Sequence, residues 1–345
     1  MTNVQNAPTL PTPSQVTISA VICSCDFERR ACLRNAIASL RAQSVTPFEI
    51  IAVIDHNDQL FRSVKNGFPD IRVVENVCSK GLSGARNTGV QMSGGSVVAF
   101  LDDDATGPDN WIAALSEAYR DPAVMAAGGS AIPSWPDGSP PAWFPPEFNW
   151  IVGCTYRGMP TKATATRNLF GCNMSFRRDV FRQIGGFHDA MGRLSDMPLR
   201  SCEETEFCIR LTDHDPHWAV LYLPDLPVQH VVAPHRCKFG YFVSRCYNEG
   251  LSKAVVTRLS GVDRSLADER SYVVRVLPRA VLEGFKDGVL RGRISGFLRA
   301  LAIITGLGVT TIGYAYSLWT LRRRRDLTLQ ARAHLEPVRT QGAGK

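Results

Sequence analysis

Three consecutive carboxylates, Asp102, Asp103 and Asp104, stand where an apolar run ends, and chemistry is first suggested there by residue type and spacing. Like charges side by side raise one another's cost of ionisation, and a divalent cation removes that cost by taking several carboxylate oxygens as ligands. Asp102 and Asp104 lie two apart, so on an extended chain both project to one side and can share an ion, while Asp103 turns away. A second acidic group, Glu203-Glu204, lies far downstream in Cys202-Glu203-Glu204-Thr205-Glu206. Acids in a first helical turn are favoured by the helix dipole, so the pair reads either as plain helix stabilisation or as a source of proton acceptors. His230, in Val228-Gln229-His230-Val231, adds a candidate third protein ligand. Carboxylate oxygens suit Mg²⁺ or Mn²⁺, and an imidazole tilts the choice toward Mn²⁺.

These residues need a frame. Ser96 to Leu101 is a run of β-formers between Gly94-Gly95 and Gly107-Pro108, which predicts a strand covered on both faces. Val16 to Cys23 predicts a first strand, followed by a helix with Leu33, Ala36, Ile37 and Leu40 on one face. Phe48 to Ile54 and Ile71 to Val74 predict two more strands, and Leu82 to Met92 a helix. This alternation predicts an α/β fold with a mainly parallel, doubly wound sheet, whose ligands sit beyond the carboxyl ends of the strands. Asp26, Asp55 and the triplet all fall at such ends and form one acidic rim. Thr106-Gly107-Pro108-Asp109 reads as a helix start with Thr106 as N-cap, and Trp111, Ile112 and Leu115 behind it as the buried face. Residues 131 to 170 crowd prolines with Trp135, Trp143, Phe144, Phe148 and Trp150 and show no helical period. They read either as cover for a sugar or lipid site or as a packed irregular excursion. Trp218 to Leu223 predicts a further strand.

At 345 residues and 44% hydrophobic content the chain has room for one large α/β domain and an appendage. The net charge of +7 is concentrated toward the C-terminus, in Arg291, Arg293, Arg299 and Arg322 to Arg325. That excess points to an anionic surface, and since an acidic rim repels phosphate backbones, the expected partner is a membrane surface and no nucleic acid. Ten cysteines without a C-x-x-C pair read as reduced thiols, not zinc ligands, in a cytoplasmic protein at the inner face of the cell membrane. Residues 1–15 read as a disordered lead-in without the marks of a signal peptide. Leu301 to Leu321 is uncharged over 21 residues, long enough to cross a bilayer, but Gly306, Gly308 and Gly313 interrupt it. An interfacial segment with Tyr314, Tyr316 and Trp319 at headgroup depth fits it equally well.

An ordered set of motifs resembles family 2 glycosyltransferases over residues 16–255. It comprises Val21-Ile22 with Asp26, Val53-Ile54-Asp55, Gly81 to Gly89, Phe100 to Asp104, Gly171 to Arg178, Gly185-Gly186-Phe187, Glu203 to Glu206, and His230. The resemblance implies the A-type glycosyltransferase fold and inverting transfer of a sugar from a nucleotide-diphospho-sugar, UDP-linked by preference, to a hydroxyl of a glycan or polyprenyl-linked acceptor. It implies Asp104 as metal ligand with Asp102 and His230, and Asp26, Asp55, Arg86, Asp102 and Asp103 on the donor side, Asp103 being the least engaged. It places the catalytic base at Glu204, yet the commonest pattern has Glu-Asp where this chain has Glu203-Glu204, so either carboxylate can be the base. Trp150 to Pro160 and Arg167-Asn168 resemble a subgroup that includes lipid-linked glucuronosyltransferases acting on glucosyl-dolichyl phosphate, which implies Trp150, Arg167 and Asn168 as acceptor-binding residues. The implied division is 16–130 for the nucleotide-sugar half, 131–255 for the acceptor half, 256–325 for a helical membrane-associated appendage, and 326–345 for a tail.

Other functions fit less well. A nucleotidyltransferase on the same fold class needs a glycine-rich basic phosphate loop after the first strand, where this chain has Ser24-Cys25-Asp26-Phe27-Glu28. A non-enzymatic basic protein binding membrane or nucleic acid accounts for the arginines and not for the acidic rim. A two-carboxylate hydrolase is separated from a transferase by its products.

Overall fold

The computed structural model describes residues 16–188, 203–260 and 271–323. Expectations for residues 1–15, Cys202, Arg324, Arg325 and residues 326–345, and for the side chain of Arg322, lie outside the described residues.

The first half is built as its periodicity predicts. Strands β1 (Ile18–Ser24), β2 (Glu49–Ile54), β3 (Arg72–Glu75) and β4 (Val97–Leu101) alternate with helices α1 (Arg30–Arg41), α2 (Asp58–Gly67) and α3 (Leu82–Met92). They pair in parallel in the order β3-β2-β1-β4. Successive side chains alternate between two cores: Ala20 and Ile22 of β1 join Ala99 and Leu101 of β4 and the inner face of α1, while Val21 and Phe100 face the opposite layer. A strand covered on both sides must be apolar throughout, which is why β4 shows no polar alternation.

The second half comprises β5 (Ala105–Thr106), α4 (Trp111–Ala118), β6 (Val124–Ser134), β7 (Thr164–Ala165), β8 (Asn173–Arg177), α5 (Arg178–Ile184), α6 (Glu203–His214) and β9 (Ala219–Val231). The sheet continues β4-β8-β6-β9-β5, with β7 on β9. β8 runs antiparallel between β4 and β6, so the sheet is mixed beyond its first four strands. The expectation that Thr106 caps a helix is corrected. Ala105 and Thr106 form the short strand β5 against His230 and Gln229, and α4 begins after Asn110, because the β5–β9 ladder takes Thr106 before a helix can start.

Among the described residues, the sheet domain is followed by the α-helices α7 (Phe239–Ser260), α8 (Leu277–Arg291) and α9 (Ile294–Arg323). They pack on the sheet domain and on one another. A Cβ on Gly250 of α7 would lie 2.1 Å from the Thr310 carbonyl oxygen of α9, and one on Gly313 would lie 2.3 Å from that of Tyr247. Bare glycines are what let these two helices approach so closely. The division drawn at 255/256 falls inside α7.

Candidate active site

The acidic triplet follows β4, and Ala105 N–H closes a turn on the Asp102 carbonyl at 3.0 Å. The two-residue strand β5 then pairs Ala105 with His230, and Val231 N–H donates to the Asp104 carbonyl at 2.9 Å. This register sets an imidazole from the end of β9 beside carboxylates from the end of β4. One ligand atom each from Asp102, Asp104 and His230 lies within 4.8 Å of the others. That is close to the ~4.2 Å across an octahedral Mg²⁺-type centre, whose ligands stand ~2.1 Å from the ion. His230 Nε2 is 3.3 Å from Asp104 Oδ1, yet this buried oxygen receives no well-directed hydrogen bond. An unsatisfied buried carboxylate oxygen in an Asp-Asp-His set fits a hard divalent cation.

Asp103 is not the bystander that the extended-chain reading predicts. The chain turns after Leu101 and re-aims its side chain inward, where Ser24 Oγ donates to Asp103 Oδ2 at 2.6 Å and Arg29 forms an ion pair. Arg29 also pairs with Asp104. Burial pushes the Asp103 carboxyl up to about 7, against the pull of Arg29 and Ser24. At His230, burial favours the neutral ring. The adjacent Asp104 carboxylate outweighs it and, with Cys154, holds the ring up at about 10. Cys154 Sγ lies 3.7 Å from Nδ1, the ring nitrogen that faces away from Asp104.

Arg86 is the buried hub of the site, only 1% exposed. Its Nη1 donates to Glu203 Oε1 at 2.9 Å, its Nη2 donates to the Gly171 carbonyl at 3.2 Å, and Asp102 Oδ1 lies 3.5 Å away. A Cβ on Gly171 would stand 2.8 Å from Arg86 Nη2, so only glycine leaves the guanidinium its place. Glu203 and Glu204 open α6. Burial pushes Glu204 up to about 8, the charge of Glu203 adds to this, and Arg86 opposes it.

A cavity of about 890 Å³ joins these groups. Asp102, His230, Arg86, Glu203 and Glu204 line it, as do Trp150, Arg167 and Asn168. Asp26 and Asp55 are not among its lining residues. Asp26 is exposed and caps a short 3-10 turn, accepting from Glu28 N–H at 2.9 Å. Asp55 is buried and accepts from Asn76 Nδ2 at 2.7 Å and Gly81 N–H at 2.9 Å, with His56 Nδ1 at 2.8 Å. Burial works against the Asp55 carboxylate, but the hydrogen bonds, that from Asn76 foremost, hold it below its ordinary range. The structure thus brings together the triplet, the glutamate pair and His230, and uses Asp55 to pin the loop before α3.

The aromatic segment divides between core packing and the cavity wall. Trp143 and Phe144 pack edge-on to Phe242 of α7, whereas Phe148, Trp150 and Tyr156 line the cavity. Sequence reasoning missed Arg29 and Ser24, and it singled out no role for Cys154 within the Trp150–Pro160 stretch. It also missed Arg245, Glu249 and Lys253 of α7 and Thr310 and Tyr314 of α9, which line the same cavity. The spacing of four between the α7 charges is visible in the sequence. That their shared face meets the cavity follows only from helix packing.

A sequence model of the family described as "Glycosyl transferase family 2" matches residues 19–185. The chain is 32% identical over 307 residues to a glucosyl-dolichyl phosphate glucuronosyltransferase of Haloferax volcanii, covering 88% of this chain and 96% of that protein. A pre-mycofactocin glycosyltransferase of Mycobacterium tuberculosis is 28% identical over 177 residues, 51% of this chain and 35% of the relative. Among solved structures, the mannosyltransferase PcManGT from Pyrobaculum calidifontis, in complex with GDP-Man and Mn²⁺, is similar with a TM-score of 0.52 at 15% identity, covering 89% of this chain and 90% of that one. That likeness is one of fold.

Proposed function

The chain belongs to glycosyl transferase family 2 and is a glycosyltransferase of the A-type fold, and from that premise we propose that it transfers a sugar with inversion from a nucleotide-diphospho-sugar, UDP-linked, to a hydroxyl of a polyprenyl-linked or other glycan acceptor. The observation that carries this is a shared cavity: Asp102 and His230 of the cation-ligand set and the perturbed carboxyl of Glu204 line the same space. The relative that acts on glucosyl-dolichyl phosphate supports the lipid-linked acceptor.

Asp102, Asp104 and His230 would hold Mn²⁺ or Mg²⁺. Such an ion, when bound, supplies Lewis-acid neutralisation of a diphosphate leaving group. Glu204 takes the proton of the acceptor hydroxyl as its oxygen attacks the anomeric carbon. The bond from that carbon to the diphosphate oxygen breaks on the opposite face, which inverts the centre. Arg86 pairs with Glu203, and the charge of Glu203 keeps the neighbouring Glu204 proton-hungry. Trp150 and Tyr156 offer flat apolar faces for a sugar ring.

The enzyme works at the cytoplasmic surface of a membrane. One helix, Ile294–Leu321, is long and apolar enough to cross a bilayer. Its inner face, however, carries Leu307, Thr310 and Tyr314 against the cavity, and Ser317 Oγ donates to the Leu251 carbonyl at 3.2 Å. The opposite face exposes Ile294, Leu298, Leu301, Ile312, Tyr316 and Trp319 as a single stripe. A helix docked along its length on its own catalytic domain, with an apolar stripe outward, suits the plane of the interface better than a crossing. Arg291 and Arg293, just before the helix, suit anionic headgroups.

The test is product analysis with a panel of nucleotide sugars, Mn²⁺ and a lipid-linked acceptor. Sugar transferred to the lipid supports the proposal. Release of free sugar at the same rate without acceptor marks a hydrolase instead.

A further inference from the structure

α8 and α9 meet at bare glycines: a Cβ on Gly284 would lie 2.7 Å from the Gly296 carbonyl oxygen, and one on Gly288 would run into the Phe297 ring. This packing leaves the other side of α8 uncovered. Leu282, Phe285 and Val289, three and four residues apart, form a single stripe there and are 60%, 43% and 71% exposed. The stripe does not end at the edge of the helix. Phe285 and Phe297, both exposed, stand edge to face with ring centroids 5.9 Å apart and join it to the outer stripe of α9. Leu290 and Ile294 are exposed on either side of the turn between the two helices. An apolar surface that continues over two helices marks a contact, whereas single exposed side chains do not. The charge around it is one-sided. From Ser271 to Arg323 the sequence holds eight arginines and lysines against two acids, Glu283 and Asp287. Both acids are already paired, Glu283 with Arg157 and Asp287 with Arg291 and Arg299. Glu147, which shares Arg157, is buried and does not reach this surface. Arg275, Arg279, Lys286 and Arg293 are exposed, and among the described residues none of the four is in an ion pair. Arg279 and Lys286, seven residues apart, share one face of α8 beside the stripe, and Arg293 stands in the turn.

We propose that α8 is a second membrane-contact element and that α8 and α9 present one joint surface to an anionic lipid bilayer, with Leu282, Phe285 and Val289 at the boundary of headgroups and acyl chains and Arg279, Lys286 and Arg293 on lipid phosphates. The proposal rests on the interfacial placement of α9 given above and extends it to a helix with no long apolar run of its own. The 15 residues of α8 make a rod of about 22 Å, short of the ~30 Å hydrocarbon core, so α8 does not cross a bilayer and its stripe is covered by lying in the surface plane. A second copy of the chain is a poorer occupant. A two-fold contact sets a patch against itself, which here would bring the same unpaired cations face to face, whereas anionic lipid is attracted by them. Leu277, the first residue of α8, lines the cavity, so a bilayer on the outer face of α8 stands about one helix diameter, ~10 Å, from it. That separation lets a lipid-linked acceptor reach the cavity with most of its chain still in the bilayer.

The experiment compares the full chain as wild type, Leu282→Glu/Val289→Glu, Arg279→Gln/Lys286→Gln and Leu298→Glu/Leu301→Glu. Each is co-sedimented with vesicles of phosphatidylcholine alone and with vesicles that also contain phosphatidylglycerol. All the substituted side chains are exposed, so thermal unfolding should match the wild type, and the charge variant carries the test should the apolar one fail to fold. The wild type is expected to partition onto the anionic vesicles at least about tenfold better than onto the neutral ones. Leu282→Glu/Val289→Glu should weaken that partition by about tenfold or more. Arg279→Gln/Lys286→Gln should weaken it by about tenfold on anionic vesicles and leave neutral ones unchanged. An α8 apolar variant that folds and sediments like the wild type overturns the proposal, and if Leu298→Glu/Leu301→Glu then stays in solution, the placement of α9 stands without α8. A wild type that binds neither vesicle overturns both. A charge variant indistinguishable from the wild type on anionic vesicles removes the lipid phosphates from α8 and overturns the proposal too. A wild type that is dimeric without vesicles and becomes monomeric as Leu282→Glu/Val289→Glu would assign the surface to a second copy and overturn it equally. Sugar transfer is not read in this assay, so its outcome is independent of the proposed reaction.

Discussion

Arg86 Nη1 lies 2.9 Å from Glu203 Oε1 and makes no comparable bond to Glu204, and this one contact gives two adjacent glutamates different surroundings. Glu204, buried and beside the charge of Glu203, is the one whose proton affinity is raised to about 8, near the pH at which a general base works best.

Glu204→Gln is therefore expected to lower turnover by about 10²-fold to 10⁴-fold with donor binding intact. Glu203→Gln should retain more activity, because it disturbs the Arg86 pair and leaves the base in place. Steady-state rates beside UDP calorimetry check both. A dead Glu203→Gln with an active Glu204→Gln would reverse the assignment.

The pH profile carries the same assignment with a definite sign. A base must be deprotonated, so kcat/KM should rise with pH through a limb near the raised Glu204 value of about 8. The charge of Glu203 contributes to that rise, so Glu203→Gln should move the limb to lower pH. Stability follows the opposite course. A carboxyl whose affinity for protons is raised on folding contributes stability that is full below its ordinary 4.5 and lost as pH climbs through 8. Between those values the wild type should lose ground to Glu204→Gln in urea unfolding, and parallel pH dependences would count against a buried, raised carboxyl.

Asp104→Ala removes the buried oxygen that lacks a hydrogen bond and the partner of His230. Mn²⁺-dependent donor binding should be lost. Cys154→Ala leaves the ligands but takes away the group beside His230 Nδ1, and should weaken Mn²⁺ binding by about tenfold, toward the lower end for such supporting contacts. Unchanged Mn²⁺ affinity of both variants, measured by calorimetry, would remove the metal role from this set.

Cutting the chain before α9 would also strip Thr310 and Tyr314 from the cavity, so membrane docking is better tested on the outer stripe. Leu298→Glu with Leu301→Glu, both exposed, should abolish co-sedimentation with anionic vesicles while thermal unfolding is unaltered. Continued sedimentation of that variant would place the contact elsewhere.

Gly250→Val should destabilise the fold by about 1–3 kcal/mol, since its side chain would meet the Thr310 carbonyl of α9 in a packed interface. Thermal unfolding reads this directly, and a neutral result would mean that α7 and α9 are not in close contact.

What the sequence by itself determined is the frame and its reactive groups. Apolar runs with helical or strand period have local causes, so β1 to β4, α1, α3 and the acidic rim at the strand ends were legible, as were Glu203-Glu204 and His230 as candidate partners, whereas α2 was not read. The ordered motifs also carried the family. Tertiary structure decided what surrounds each of those groups. Asp103 looked idle because an extended chain alternates its side chains, and the turn after Leu101 swings it onto Ser24 and Arg29 instead. Thr106 looked like a cap because capping is local, whereas its strand pairing with Gln229 is not. The choice between Glu203 and Glu204 depends on Arg86, and the charged stripe of α7 faces the cavity only because glycines let α9 pack against α7. Each of these rests on contacts between residues far apart in the chain, and local spacing does not encode them.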